Sequence, residues 1–140
     1  ASRGLGDVYK RQVHWNALVS AYGESPFFEF FEDDIRPFFT KKWTFLYDFN
    51  FEIMQKMCEL LDIEPNVRAT TEYLKIGEGH GDESEVVDFR EAIHPKRPQP
   101  DCSFQPQPYY QVYAEKHGFL PNLSIIDLLM NLGNEAILLL

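Results

Sequence analysis

Cysteine is scarce in this 140-residue chain, with Cys58 and Cys102 the whole complement. Two cysteines do not make a disulfide framework, and no C-x-x-C or comparable metal-ligand spacing occurs. Cys58 falls within a helical pattern, where the role of a small core residue is commoner than that of a nucleophile. Positive charge is also in short supply: 13 Lys and Arg stand against 22 Asp and Glu, a formal charge of −9. Nucleic-acid surfaces need clustered Lys and Arg to displace counterions, so nucleic acid is excluded as a partner class. A locally held anionic substrate is not excluded by the same argument. There is no signal-peptide pattern and no apolar run of membrane length, the terminal "AILLL" being too short. No membrane insertion and a reducing, cytoplasmic setting are therefore expected. Aromatic residues, by contrast, are abundant at 15%. A chain this aromatic is not a disordered tail, and its length suits a single domain with one core.

The opening "SRGLGDVYKRQ" has no apolar periodicity and carries three basic residues in an acidic protein. Residue by residue, Ser2 to Gln12 resembles the translation of a transposase-based sequencing adapter. Residues 1–12 are accordingly read as a non-native, adapter-derived arm, expected to be irregular or to lack packed contacts. Residues 13–140 are read as the C-terminal part of a single domain whose N-terminal part is missing.

Helical grammar dominates from Val13 onward. "HWNALVSAYG" sets Trp15, Leu18, Val19 and Tyr22 on one helical face closed by Gly23. "SPFFEFFEDDI" offers Ser25 as N-cap and Pro26 at the first helical position, and Pro37 interrupts the pattern. "FNFEIMQKMCELLDIEP" predicts a helix from a cap at Asp48 or Asn50 towards Pro65, with Ile53, Met57, Leu60 and Leu61 on one face. "RATTEYLKI" is rich in β-branched and aromatic residues and predicts a strand within residues 68–76, with a second strand or a helix end in the final residues. "GEGHGDESE" reads as a loop, "VDFREAIHP" as a short helix, and "PKRPQPDCSFQPQP" as an extended surface connector. "SIID" has the form of a capping box, Ser124 as N-cap and Asp127 at N3, ahead of Leu128, Leu129, Leu132 and a terminating Gly133. The fold class is thus mainly α with one or two short strands, as a C-terminal fragment of an α/β or α+β domain.

Several residues have both a bland and a functional reading. "GEGHG" lacks the strand, lysine and helix of a phosphate loop, and Asp82, Glu83 and Glu85 would repel an anion. His80 with Asp82 has the elements of a metal site, but an exposed acidic loop is the commoner outcome. His14, beside Trp15, is either structural or functional, and His117 in "EKHGF" is either a cap for helix carbonyls or a functional imidazole. Ser124 and Asp127 are explained by capping alone. The alternative for them is a helix N-terminus whose free N–H groups face a cleft.

"HWNALVSAYGESPFFEFFEDDIRPFF", "DFREAIHPKR" and "PYYQVYAEKHGFLPNLSIIDLLMNLGNE" together resemble the C-terminal part of the WbqC-like protein family. "HWNALVSAY" with "REAIHPK" resembles the short form found in Bacteroides-type bacteria. The most specific stretch is "LPNLSIIDLLMNLG", supported by Tyr109 and Gln111; Met130 stands where the family usually has Phe, a volume-conserving difference. The resemblance implies surface-polysaccharide or O-antigen biosynthesis, with transfer of glycine or another acyl group to a sugar. Such chemistry needs a base for the acceptor and donors for a tetrahedral oxyanion. His14, His117 and Asp127 are then the catalytic candidates, and Tyr109, Gln111, Asn122 and Ser124 the substrate-binding ones. The implied partner is a sugar or nucleotide-sugar substrate, with no cofactor and no metal; oligomeric state is unspecified. No Ser-His-Asp or Cys-His set supports a covalent intermediate. The alternative is a non-catalytic protein of the same pathway that binds a glycan precursor or a partner, using Tyr109, Tyr110, Tyr113 and Phe119 as an apolar platform unless these are core. Two geometric expectations follow. The Ser124 helix should lie against the His14 helix, and Gln111, His117, Asn122 and Asp127 should converge at its N-terminus.

Overall fold

A computed structural model describes residues 3–73, 87–90, 92–93, 96–97, 99 and 104–140, with side chains of the first helix described from residue 8. The chain divides into two compact units, Ala1–Pro65 with Pro106–Leu140, and Asn66–Gln105. The helices in order are α1 (Arg3–Tyr22), α2 (Phe28–Ile35), α3 (Pro37–Thr40), α4 (Leu46–Leu60), α5 (Ala114–His117) and α6 (Ile125–Leu132), followed by a 3-10 helix at Gly133–Leu139. All of them belong to the first unit.

The fold is mainly helical, and no strand occurs among the described residues. Residues 68–73, expected to begin a strand, form bends and irregular chain. A β-branched sequence realises its strand preference only against a paired neighbour. The final residues, expected to form a strand or a helix end, form the 3-10 helix, which tucks Ala136 into the core while Leu138 faces outward.

α1 carries Trp15 inward and Leu18 and Tyr22 half-inward, whereas Val19, expected on the same face, is exposed; Gly23 closes the helix by donating to the Val19 carbonyl at 2.8 Å. The helix also runs without a break through Arg3–Gln12, where an irregular arm was expected. Val8 and Tyr9 are exposed on it, whereas Arg11 is half-buried and donates to the Lys41 carbonyl. Ser25 does not cap α2. Its hydroxyl donates back to the Tyr22 carbonyl at 2.6 Å, so it finishes α1, and α2 begins three residues later behind Phe27. Pro37 separates α2 from α3 by occupying the first position of the latter, where its missing N–H costs nothing. α4 starts at Leu46 behind Phe45, earlier than the expected cap, with Asp48 in its first turn. It ends in a Schellman arrangement: Ile63 N–H donates to Cys58 O at 2.8 Å and Asp62 N–H to Glu59 O at 3.1 Å. The residue with positive φ there is Asp62, φ 56°, in the place glycine usually takes.

Phe28, Phe31 and Ile35 of α2 face Leu128, Leu129 and Met130 of α6, with Trp15, Met57, Leu61 and Ala136 completing one core. Trp15 packs its ring on Phe28 and Phe39, at centroid distances of 6.2 and 5.8 Å. The main neighbour of α1 is α3, and those of α6 are α2 and the terminal 3-10 helix. The expected pairing of α6 with α1 is therefore reduced to side chains of one shared core. The amphipathic face of α6 is satisfied first by the Phe-rich α2.

Within the second unit, Arg90 grips Asp88 through its backbone N–H, Nε and Nη2 at 2.7–3.1 Å, and its guanidinium lies 4.8 Å from the Tyr73 ring centre. That grip holds the exposed Asp88 carboxyl low, at about 2. Of the predicted "VDFREAIHP" helix, the described part is a single turn closed by Ile93 N–H to Phe89 O at 3.0 Å. The "GEGHGDESE" loop, with His80, Asp82, Glu83 and Glu85, and Cys102 lie outside the described residues.

Candidate functional site

Two separate polar features emerge in the first unit. One is a partly buried hydrogen-bond network on α6; the other is an open aromatic cleft beside α1 and α3.

The network centres on Asp127. Ser124 does cap α6, its Oγ accepting from Ile126 N–H at 3.3 Å. The carboxylate of Asp127 does not complete the capping box. It turns inward, only 6% exposed, and its Oδ2 accepts from Tyr109 Oη at 2.6 Å and Gln111 Nε2 at 3.1 Å. Gln111 in turn grips Leu120 from both ends of its amide, Nε2 donating to the Leu120 carbonyl and Oε1 accepting its N–H, each at 2.9 Å. One turn further along α6, buried Asn131 donates to the Asp127 carbonyl at 2.8 Å and accepts from Val112 N–H at 3.0 Å. Side chains thus replace a β-ladder in holding residues 109–112 and the 118–123 turn to α6. Among the described residues no buried side-chain N or O lacks a partner. A fully satisfied buried network of this kind rigidifies and specifies packing.

Two phenols share the Asp127 carboxylate. Tyr22 is pushed up to about 12, first by burial and then by the Asp127 charge. Tyr109 is also pushed up to about 12, by burial and by its bond to Asp127, with Gln111 opposing. Folding therefore keeps both phenols protonated to higher pH than in the unfolded chain. Their contribution to stability is complete below pH 10 and is lost as pH rises through 12. The melting temperature is expected to fall steeply across that window, and more shallowly in Tyr109→Phe, which lacks one of the two titrations. An equal slope in both proteins contradicts the assignment.

The cleft has about 340 Å³ of open volume and is walled by Phe38, Phe39, Trp43, Phe45 and Phe49, with His14 and Arg11 at its α1 side. Trp43 is held rigidly. Its Nε1 donates to the Phe38 carbonyl at 2.9 Å, its ring stacks on Phe38 at 5.8 Å, and Phe49 meets it edge-on at 5.4 Å. The neighbouring Phe45, Leu46 and Tyr47 are all more than 60% exposed. Three consecutive apolar residues are thus held in solvent at the mouth of the cleft.

Of the candidate residues named from the sequence, the fold brings together Tyr109, Gln111 and Asp127. His14 is exposed and lines the aromatic cleft; His117, Asn122 and Ser124 are exposed near the turn that Gln111 fastens. The expected convergence of Gln111, His117, Asn122 and Asp127 is thus limited to Gln111 and Asp127 bonded to each other. Asn122 adopts φ 55°, a turn role that suits asparagine. Tyr109 meets Phe119 edge-on at 5.3 Å and belongs to the core margin, while Tyr110 is exposed. Trp43, Phe38, Phe45 and Phe49 were not singled out by sequence reasoning. The signal available was the aromatic density of "WTFLYDFNF", more than one helical face can bury.

Among the described residues, no group of three or more His, Cys, Asp or Glu side chains is arranged to hold a metal. None of the described helices is long and apolar enough to cross a membrane.

Comparison with known proteins yields one family. The model of the WbqC-like protein family matches residues 6–97 and 99–138, and the chain belongs to that family. The matched range begins inside the stretch that resembles an adapter. No curated protein and no solved structure matches the chain.

Proposed function

We propose, with membership of the WbqC-like family as the premise, that this protein binds a sugar or nucleotide-sugar precursor of surface-polysaccharide or O-antigen assembly in the cleft between His14 and Trp43. The observation that carries this reading is the half-exposed Trp43 indole, backed by buried Phe38, in a cleft that His14 also lines. A pyranose presents one face of C–H groups and a rim of hydroxyls. An immobilised indole accepts the apolar face at little entropic cost, and His14 can exchange hydrogen bonds with the rim. The Asp127 network supports this division of labour, because Tyr109 Oη, the Gln111 amide and Asp127 Oδ2 are already engaged within the fold. We assign it to holding α6 rather than to contacting substrate.

Trp43→Ala is expected to weaken sugar binding at least ~10-fold, as loss of a central aromatic anchor does, while Asp127→Asn leaves affinity unchanged at temperatures where it stays folded. Ligand-observed NMR with free sugars and nucleotide-sugars measures both. Retained affinity in Trp43→Ala removes the cleft as the site.

A second reading is favoured by the position of His14. An imidazole open to the same cleft can accept the proton of a bound sugar hydroxyl or amine while that atom attacks an acyl donor, such as an activated glycine, and the donor's leaving group departs. His14→Gln then abolishes acyl transfer and spares most of the binding.

A further inference from the structure

A second cleft adjoins the first across the same two rings. It has about 270 Å³ of open volume and shares Phe38 and Trp43, but its remaining walls are charged: Asp33, Asp34 and Glu52 with Lys41 and Lys56. The two lysines are committed. Lys41 pairs with Glu52 at 3.2 Å and sits 4.2 Å from the Trp43 ring centre, and Lys56 bridges Asp34 at 3.6 Å and Glu59 at 2.8 Å. We infer that the Phe38–Trp43 pair is the partition between two adjoining subsites, and that their ligand is an uncharged glycan of at least two sugar units rather than a sugar diphosphate. This inference rests on the cleft reading above and extends it.

The charges decide the class. A diphosphate needs uncommitted cations or a set of backbone N–H donors. Here the charged cleft presents three carboxylates to two ammonium groups already paired. Ring hydroxyls, in contrast, both donate and accept, and so match a wall of alternating carboxylates and ammonium groups. The exposed part of the partition, the Trp43 indole with Lys41 over its ring, then borders two consecutive sugar units of one chain. A ligand confined to one subsite gains only one half of the contacts, whereas a linked pair gains the second at high effective concentration.

The test uses the intact protein and a panel of uncharged mono- and disaccharides of glucose, galactose and N-acetylglucosamine, with UDP-glucose and UDP-N-acetylglucosamine. Disaccharides are expected to bind at least ~10-fold more tightly than the matching monosaccharides, and attachment of UDP is expected to bring no gain. Glu52→Gln, at a residue that lines only the charged cleft, is expected to weaken disaccharides and leave monosaccharides unchanged; His14→Ala is expected to weaken both. Equal mono- and disaccharide affinity, a disaccharide affinity indifferent to Glu52→Gln, or tightest binding by a UDP-sugar overturns the two-subsite inference. In each of those cases sensitivity to His14→Ala leaves the cleft reading standing. Failure of the whole panel to bind overturns both.

Discussion

Asp127→Ala is expected to cost about 3–5 kcal/mol of folding free energy, the largest effect of any single polar substitution in the first unit. The reason lies in what the change leaves behind. Tyr109 Oη and one Nε2 hydrogen of Gln111 donate to the Asp127 carboxylate inside the fold. Alanine removes the acceptor and supplies nothing in its place, so a half-buried phenol and a buried amide N–H lose their partner, at about 1–3 kcal/mol each. Asp127→Asn keeps one oxygen but presents an N–H₂ group to the same donors, and an intermediate loss of about 2 kcal/mol is expected. A purely capping aspartate costs about 1 kcal/mol or less on either change. Urea unfolding of the two variants separates these outcomes. Losses below 1 kcal/mol for both return Asp127 to the role of a cap and leave its buried bonds without energetic weight.

Gly133→Ala is expected to be almost as damaging, at about 2–4 kcal/mol, for two independent reasons. Gly133 ends α6 with φ 60° and ψ −135°, a backbone region that a side chain at Cβ disfavours strongly. A Cβ there would also lie 2.6 Å from Phe27 Cε1 and 2.7 Å from Cδ1. The close approach exists because the start of α2 sits on the end of α6: Phe27 N–H donates to the Met130 carbonyl at 3.1 Å, satisfying one of the last orphan carbonyls of the helix. Phe27 is partly exposed and its ring can swing outward, so backbone strain sets the lower bound. Gly118 supplies the control, with φ 69° and no atom within 4 Å of the corresponding Cβ. Gly118→Ala is expected to lose only the strain component, and the difference between the variants measures the Phe27 contact. Equal losses mean that Phe27 moves aside freely.

The parts of the fold legible in the sequence are those with a local cause. The face of α1 through Trp15, Leu18 and Tyr22, the break at Pro37, the Ser124 cap and the Gly133 stop each depend on residues within one or two turns. Ser25 misled because a serine before proline resembles an N-cap, and the choice between finishing α1 and starting α2 depends on the Tyr22 carbonyl lying in reach. Asp62 was invisible as a helix terminator because left-handed backbone is ordinarily glycine's role. The strand expected from residue 68 onward does not form over the described residues 68–73, because strand preference is realised through pairing, which propensity does not encode.

The candidate site was legible in its members and not in its arrangement. Tyr109, Gln111 and Asp127 do come together, but the capping pattern of "SIID" gave no sign that the Asp127 side chain turns inward. A residue at N3 can face either the cap or the core, and its direction is decided by donors 16 and 18 positions away in the chain. The aromatic cleft escaped notice for a different reason. Trp43, Phe45 and Phe49 form no short motif, and an aromatic-rich segment reads as core until the fold leaves part of it in solvent.

The most direct test of this account is a residue-resolved NMR map of the protein titrated with an uncharged disaccharide. Shifts are expected to concentrate at the Trp43 indole, His14 and the backbone of residues 43–46, with the amides of Tyr109, Gln111 and Asp127 unmoved. Shifts at Tyr109, Gln111 and Asp127 with a silent Trp43 would place the ligand in the network instead and contradict it.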